Sequence, residues 1–425
     1  MQGDSRSHGL WEKTALAAPV TQTLSETTTA EVVVVGAGYT GLSTALHLAE
    51  RGVEVILLEA VEIGFGGAGR NVGLVNAGMW VMPDALTNIL GSDAGEGLIE
   101  FLADGPALVW DLIDRHRIDC EATRSGTLHV APDQAGLNEL VARHAQWKAR
   151  GAPVELLDRD ATEARLGSGR FLGALHDRRA GTIQPLSYAR GLAKAAIGAG
   201  ARIFTRSPAV TMHGKGAGWR IKTPSGSVAA AQIVFATDAY SRHLMPEIRT
   251  QQVFLPYFNI ATEALPEALA QRILPGREGV WDTRKVLTSF RMDKSNRLIL
   301  GSVGALRNTG GPIHRAWARR ALRRLYPALS GIRFEAEWHG TIGMTSDHLP
   351  RFHQLADGVV TVCGYNGRGI APGTAFGRAL AGWLCGGNTR LPLDPSKPRP
   401  DRLRLTKGAF YEFGAQAWHL VDARR

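Results

Sequence analysis

The clearest pattern of apolar and polar positions lies near the start of the chain. Val32 to Val35 run together, which fits a strand buried on both faces, as in a parallel sheet. Leu42, Ala45, Leu46 and Ala49 then recur at helical spacing until Gly52,. Val53 to Glu59 reads as a second strand. The turn between the first strand and the helix is G-A-G-Y-T-G, residues 36–41. The opening is therefore a strand, a glycine turn, a helix and an acidic-ended strand.

Farther along, residues 124–131 and 171–184 read as strands, with turns at Ser125-Gly126 and Ala180-Gly181,. Residues 186–198 read as a helix, 201–206 as a strand, and 218–235 as strands around Pro224-Ser225-Gly226. More strands and one arginine-rich helix fill 246–335, and that helix puts Trp317, Ala321 and Leu325 on one face,. Residues 358–369 are glycine-rich and lead into a helix that ends near Leu384. Residues 1–30 read as a polar arm with Trp11 as its large anchor. There is no internal repeat. Dinucleotide-type pieces at 31–80, 200–240 and 358–384 bracket the other segments, so the binding domain is expected to be discontinuous in sequence.

Composition narrows the class. A chain of 425 residues exceeds one ordinary domain, and 44% hydrophobic residues suffice for a large core,. The net charge of +10 suits anionic ligands,. Basic residues are spread along the chain without an RNA-binding or zinc-finger signature, so nucleic acid is not expected as a partner. Cys120, Cys363 and Cys385 lie far apart, which gives no disulfide framework and no metal site. The segment before Glu31 has no signal-peptide pattern, and no apolar run approaches the roughly 20 residues of a membrane span. The expected location is cytoplasmic.

The glycines carry the chemistry. Gly36 permits a tight turn, Gly38 lets a pyrophosphate approach the backbone, and Gly41 lets helix and strand pack closely. The first helical turn, with Ala37, Tyr39 and Thr40, offers unpaired N–H groups to phosphate. Glu59, followed by Ala60, is placed to accept hydrogen bonds from ribose hydroxyls and would repel the 2′-phosphate of NADP. This spacing alone suits FAD or NAD. A single G-x-G-x-x-G favours one bound flavin over flavin plus nicotinamide. The second cluster, residues 64–73, brings Gly66, Gly67, Gly69, Arg70, Asn71, Val72 and Gly73 near a ligand, with Leu74 following,. The third, G-Y-N-G-R-G at 364–369, precedes a helix. That helix N-terminus is suited to negative charge on a reduced flavin ring.

Taken jointly, V-V-V-V-G-A-G-Y-T-G-L-S-T-A-L-H-L-A-E, I-G-F-G-G-A-G-R-N-V-G, W-D-T-R, R-L-I-L-G and G-Y-N-G-R-G resemble the D-amino-acid-oxidase-type family of FAD enzymes. The resemblance runs from about Trp11 to Leu384. It implies an α/β fold with two domains. A Rossmann-like FAD domain would comprise 31–110, 181–245 and 336–395. A mostly antiparallel-sheet substrate domain would comprise 111–180 and 246–335, leaving 1–30 as an arm and 396–425 as a tail. To the cofactor contacts above it adds Val210, Ala236, Thr237, Gly340, Gly364, Asn366, Gly367, Arg368, Gly369 and Ile370. The implied reaction moves a hydride from the carbon beside an amine to the flavin and leaves an imine. Pieces such as S-G-T-L-H-V-A, D-R-R-A-G-T-I and G-R-N-V-G-L-V-N-A-G-M-W point within the family to L-pipecolate as substrate. γ-Glutamylputrescine or another amine is the alternative. An RNA-modifying flavoprotein and a non-catalytic flavin subunit are more distant readings.

Departures from the family sharpen the expectations. Gly340 and Asn71 stand where relatives carry flavin-linking residues, so FAD is expected to be noncovalent. Ile299 and Ala371 stand where relatives use lysines for O₂ and for the substrate carboxylate. The acceptor is then O₂ or another oxidant, and other cations must hold a carboxylate: Arg291 and Arg368 first, then Arg70 and Arg284. Tyr257, Tyr365 and His348 are candidate walls of the site. The tail segment 410–420 is expected to pack on its own chain, with a neighbouring subunit or a membrane surface as the alternatives.

Overall fold

The computed structural model describes residues 8–216, 218–241, 244–386 and 391–422. The first seven residues of the arm, the last three of the tail, and residues 217, 242–243 and 387–390 lie outside the described residues. Two eight-stranded sheets organise the chain. The first runs Arg351–Ala356, Val359–Cys363, Ser227–Phe235, Thr27–Val35, Val55–Leu58, Arg202–Phe204, and two further strands branch from Ser227–Phe235. Thr27–Val35 is paired in parallel on both sides. The strand is therefore internal to the sheet, and its two faces pack into different clusters, Val32 and Val34 in one and Val33 and Val35 in the other, which explains the valine run. The strand starts at Thr27, earlier than Glu31, because Thr27 to Ala30 continue the ladder with Ser227 to Ala230.

The second sheet runs Phe334–Met344, Val253–Ala264, Arg297–Val303, Thr288–Met292, Gly279–Asp282, Thr127–Ala131, Gly173–Asp177, Val154–Leu157. All its pairings are antiparallel except that of Gly279–Asp282 with Thr127–Ala131. The fold is mixed α/β. Helices at Pro83–Leu90, Ser92–Ala103, Gly105–Arg115 and Gln134–Ala149 fill stretches where periodicity had assigned nothing.

The helix Tyr39–Ala49 is buried at every residue, because Pro185–Gly198 and Ile370–Leu384 both pack on it. Small residues make this possible: a Cβ on Gly377 would lie 2.5 Å from that of Ser43. The arm is structural. Its short helix Leu10–Thr14 sinks Leu10 and Trp11 into a cluster with Leu186, Ala261, Ile299 and Trp338. Trp11 Nε1 donates to the Asn71 carbonyl (2.8 Å), and Trp338 Nε1 donates to that of Arg70 (3.0 Å). Two tryptophans thus fix the second glycine cluster from behind. Among the described residues no helix is long and apolar enough to cross a membrane, and the three cysteines are free.

Candidate flavin and substrate site

The first glycine turn has the geometry its spacing predicts. Gly36 takes φ +109°, and a Cβ on Gly41 would sit 1.9 Å from the Gly36 carbonyl oxygen. A Cβ on Gly38 would meet nothing nearer than Ala68 Cβ at 4.0 Å, so room is left in front of the backbone there. The helix Tyr39–Ala49 begins at Gly38 with no side-chain cap, leaving its first amides available to an anion,. Glu59 accepts from Ala37 N (2.8 Å) through one oxygen and from Val61 N (2.9 Å) through the other. Burial pushes its pKa up, and backbone N–H groups of Ala37, Val61 and Ala60 oppose that shift. The carboxylate therefore braces the turn. Ala236 and Thr237 abut Gly36 across the sheet. Val210 lies three residues beyond Ser207, whose N–H bonds the Glu59 carbonyl (2.8 Å).

The other glycine segments meet this turn. Tyr39 Oη donates to Ala68 O (2.6 Å) and accepts from Asn71 Nδ2 (3.0 Å). Asn71 also donates to Gly67 O and accepts from Gly73 N, so its side chain is spent on holding the loop. Val72 packs against the cluster that contains Trp11, and Leu74 pairs with Thr182. A Cβ on Gly340 would lie 3.0 Å from Arg70 Cβ, and one on Gly367 3.2 Å from Ile342 Cδ1. Tyr240 packs against Gly66 and Gly67. The turn at 364–369 is held by Asn366, which accepts from Thr345 N (2.8 Å), and Gly369 opens the helix Ile370–Leu384 without a side-chain cap. Two uncapped glycine-built helix starts and one acidic strand end form a donor and acceptor set that fits a flavin dinucleotide.

One residue missed by sequence reading ties these parts. Asp238, at φ +39°, accepts from Gly364 N (2.7 Å) and joins the ends of two parallel strands. Burial raises its pKa to about 6.

Beside the 364–369 turn lies a second constellation. Arg368 is buried, with its guanidinium 4.7 Å from the Trp80 ring and 4.6 Å from the Trp281 ring. It donates to Ala77 O (3.0 Å), while its buried Nε has no hydrogen-bond partner. Burial, with Arg143 nearby, lowers its pKa to about 9. His129 stacks on Trp281 at 3.4 Å between centroids, and its Nδ1 is unpartnered. Burial and the cations of Arg143 and Arg368 hold His129 well below the usual histidine range, so it is neutral. Arg143 donates to Met79 O and Trp80 O and pairs with the Glu139 carboxylate, although its own buried Nε lacks a partner among the described residues. The Asp177 carboxylate, on the same wall, is taken by Arg179 (2.7 Å). The space between these side chains measures about 30 Å³.

The remaining candidates are dispersed. Arg291 is buried over Trp11 and donates to the carbonyls of Ile183, Gly73 and Met292. Its fork is thus directed at backbone. Arg284 pairs with Asp422 at 3.6 Å, and Arg70 covers the Phe65 ring. Tyr365 bonds Thr40 (2.7 Å) and Tyr257 bonds Ser289 (2.7 Å). His348 is exposed in a left-handed turn. Of the four arginines only Arg368 lines the cavity. Trp80, His129, Asp177 and Trp281 stand inside quoted motif pieces, yet their letters give no sign that they converge.

Comparison with known proteins agrees with this geometry. A family model described as FAD dependent oxidoreductase (DAO) matches residues 31–383. The chain is 34% identical to the gamma-glutamylputrescine oxidoreductase of Escherichia coli (strain K12), over 94% of each protein. It is 23% identical to the glycine oxidase of Geobacillus kaustophilus (strain HTA426), over 80% of this chain and 89% of that one. The crystal structure of glycine oxidase from Geobacillus kaustophilus superposes with a TM-score of 0.70 at 21% identity, covering 87% of this chain and 98% of that one.

Proposed function

The chain belongs to the DAO family of FAD-dependent oxidoreductases, and on that premise we propose that it oxidises an amine bearing a remote carboxylate, with γ-glutamylputrescine as the type. It is an enzyme that uses FAD and acts on amines or amino acids. The finer reading rests on one observation: Arg368 is a buried guanidinium which, among the described residues, has no partner for its Nε and no carboxylate bonded to it. A buried cation is costly alone and is stabilised by a two-pronged carboxylate. The relative from Escherichia coli, an oxidoreductase of γ-glutamylputrescine by name, supports the same substrate. L-Pipecolate, the first expectation, finds no support in these comparisons and becomes the reference substrate.

Bound flavin supplies the two-electron sink. The protein's own work is positioning. Arg368 holds the carboxylate end, Trp80 and Trp281 exclude water and flank the chain, and neutral His129 offers an acceptor for an amine N–H. FAD is held noncovalently: Gly340 has no side chain and Asn71 is spent on the loop. Acid precipitation should therefore leave all flavin in the supernatant, and colour in the washed pellet would refute this. For the substrate, anaerobic mixing should bleach the flavin faster with γ-glutamylputrescine than with L-pipecolate or putrescine. Faster bleaching by L-pipecolate would overturn the reading.

A further inference from the structure

The C-terminal helix Arg404–Val421 has reversed polarity. Three of its polar side chains face the body of the protein. Glu412 pairs with Arg307 (2.9 Å), Gln416 accepts from Thr309 (2.9 Å), and buried His419 meets Ser302 (3.2 Å) and His314 (2.8 Å). Its apolar side chains face outward. Leu405 and Phe410 are each 72% exposed, Phe413 67% and Val421 64%. At 100° per residue these four fall on one face with Ala409, Ala417 and Leu420; Thr406 lies within that face and Gln416 at its edge beside Leu405, and neither is charged,. An ordinary surface helix is arranged the other way round, so this face needs a cover. The expected packing of the tail on its own chain accounts only for the inner face.

We propose that this face lies on an anionic lipid surface. Between residues 397 and 411 stand Lys397, Arg399, Arg402, Arg404 and Lys407 against one carboxylate, Asp401. Arg404, Lys407, Tyr411 and Trp418 share one flank of the apolar stripe by their spacing,. Basic and amphipathic aromatic side chains beside an apolar stripe are what an in-plane membrane helix requires. A second copy of the chain fits less well. The helix has 18 residues, about 27 Å, and pairing two such stripes buries on the order of a few hundred Å² per partner, short of the ~800 Å² of a stable interface.

Sedimentation of the flavin-loaded protein with vesicles tests this. It should pellet with phosphatidylglycerol–phosphatidylcholine vesicles at low salt and stay in solution with phosphatidylcholine alone. Phe410→Ser with Phe413→Ser should weaken binding about tenfold or more, and Arg402→Glu with Arg404→Glu should weaken it on anionic vesicles. Both variants should keep the flavin spectrum and turnover with a soluble dye. The proposal falls if the protein ignores anionic vesicles. It also falls if light scattering gives twice the chain mass and the phenylalanine variant reverts to monomer, since the cover is then a second copy.

Discussion

The glycine turn at 36–59 and the pocket around Arg368 are built in opposite ways. The turn is made by one continuous stretch: a strand, three glycines, a helix and the acid that ends the next strand. The pocket draws Ala77, His129, Arg143, Asp177, Trp281 and Arg368 from six separated segments. Local geometry fixes the first, since Gly36 and Gly41 each answer a clash that can be stated from the backbone. Only the tertiary fold fixes the second. On the proposed reading, the same difference separates a way of holding a dinucleotide from a way of holding a substrate.

The contrast can be broken most sharply at Gly41. Gly41→Ala would press a Cβ to 1.9 Å from the Gly36 carbonyl oxygen, so helix and turn must separate. Purified variant should retain little or no FAD, and a fully yellow protein would refute the reading of the turn. Arg368→Met should act on the other region alone. It should raise KM for γ-glutamylputrescine by roughly 10–100-fold, as expected for a lost charge-assisted pair, and change putrescine much less, with FAD content normal. An equal loss on both amines would make Arg368 a structural residue. Glu59→Gln should be milder, because one oxygen acceptor remains: FAD affinity should fall about tenfold. Glu59 also braces Ala37 and Val61, so the melting temperature of the apoprotein should fall too. Unchanged affinity would place the ribose elsewhere.

Legibility follows the same division. The parallel core, the glycine turn and the helix after residue 369 could be read from the chain, because valine runs, glycine spacing and 3.6-residue periodicity are local signals. The helices between Pro83 and Arg115 could not. They carry small and polar residues on exposed faces, and their apolar face shows only once they dock. Arg291 and Arg368 look alike in sequence, each beside a family motif. The fold separates them, turning Arg291 onto the carbonyls of Ile183 and Gly73 and leaving Arg368 facing a cavity. Side-chain direction of this kind depends on contacts over a hundred residues away.

The smallest effect tests a likeness beneath the contrast. Each region holds one buried acid with its pKa raised by burial to about 6: Asp238 beside the glycine turns and Asp282 next to Trp281. A carboxyl whose folded pKa is raised binds its proton more tightly in the native state. Its contribution is fully present below the unfolded value and is lost as pH rises through about 6,. For Asp238 that loss amounts to about 1 kcal/mol between pH 5 and pH 7. Asp238→Asn removes it while keeping an oxygen for Gly364 N. The stability of the variant relative to the parent should therefore rise by about 1 kcal/mol from pH 5 to pH 7, measured by urea unfolding at both values. Asp282→Asn should show the same sign. If Asp238→Asn instead loses ground as pH rises, the Asp238 carboxylate is stabilised by Gly364 and its neighbours more than burial opposes it, and the turn there is an anion site in its own right.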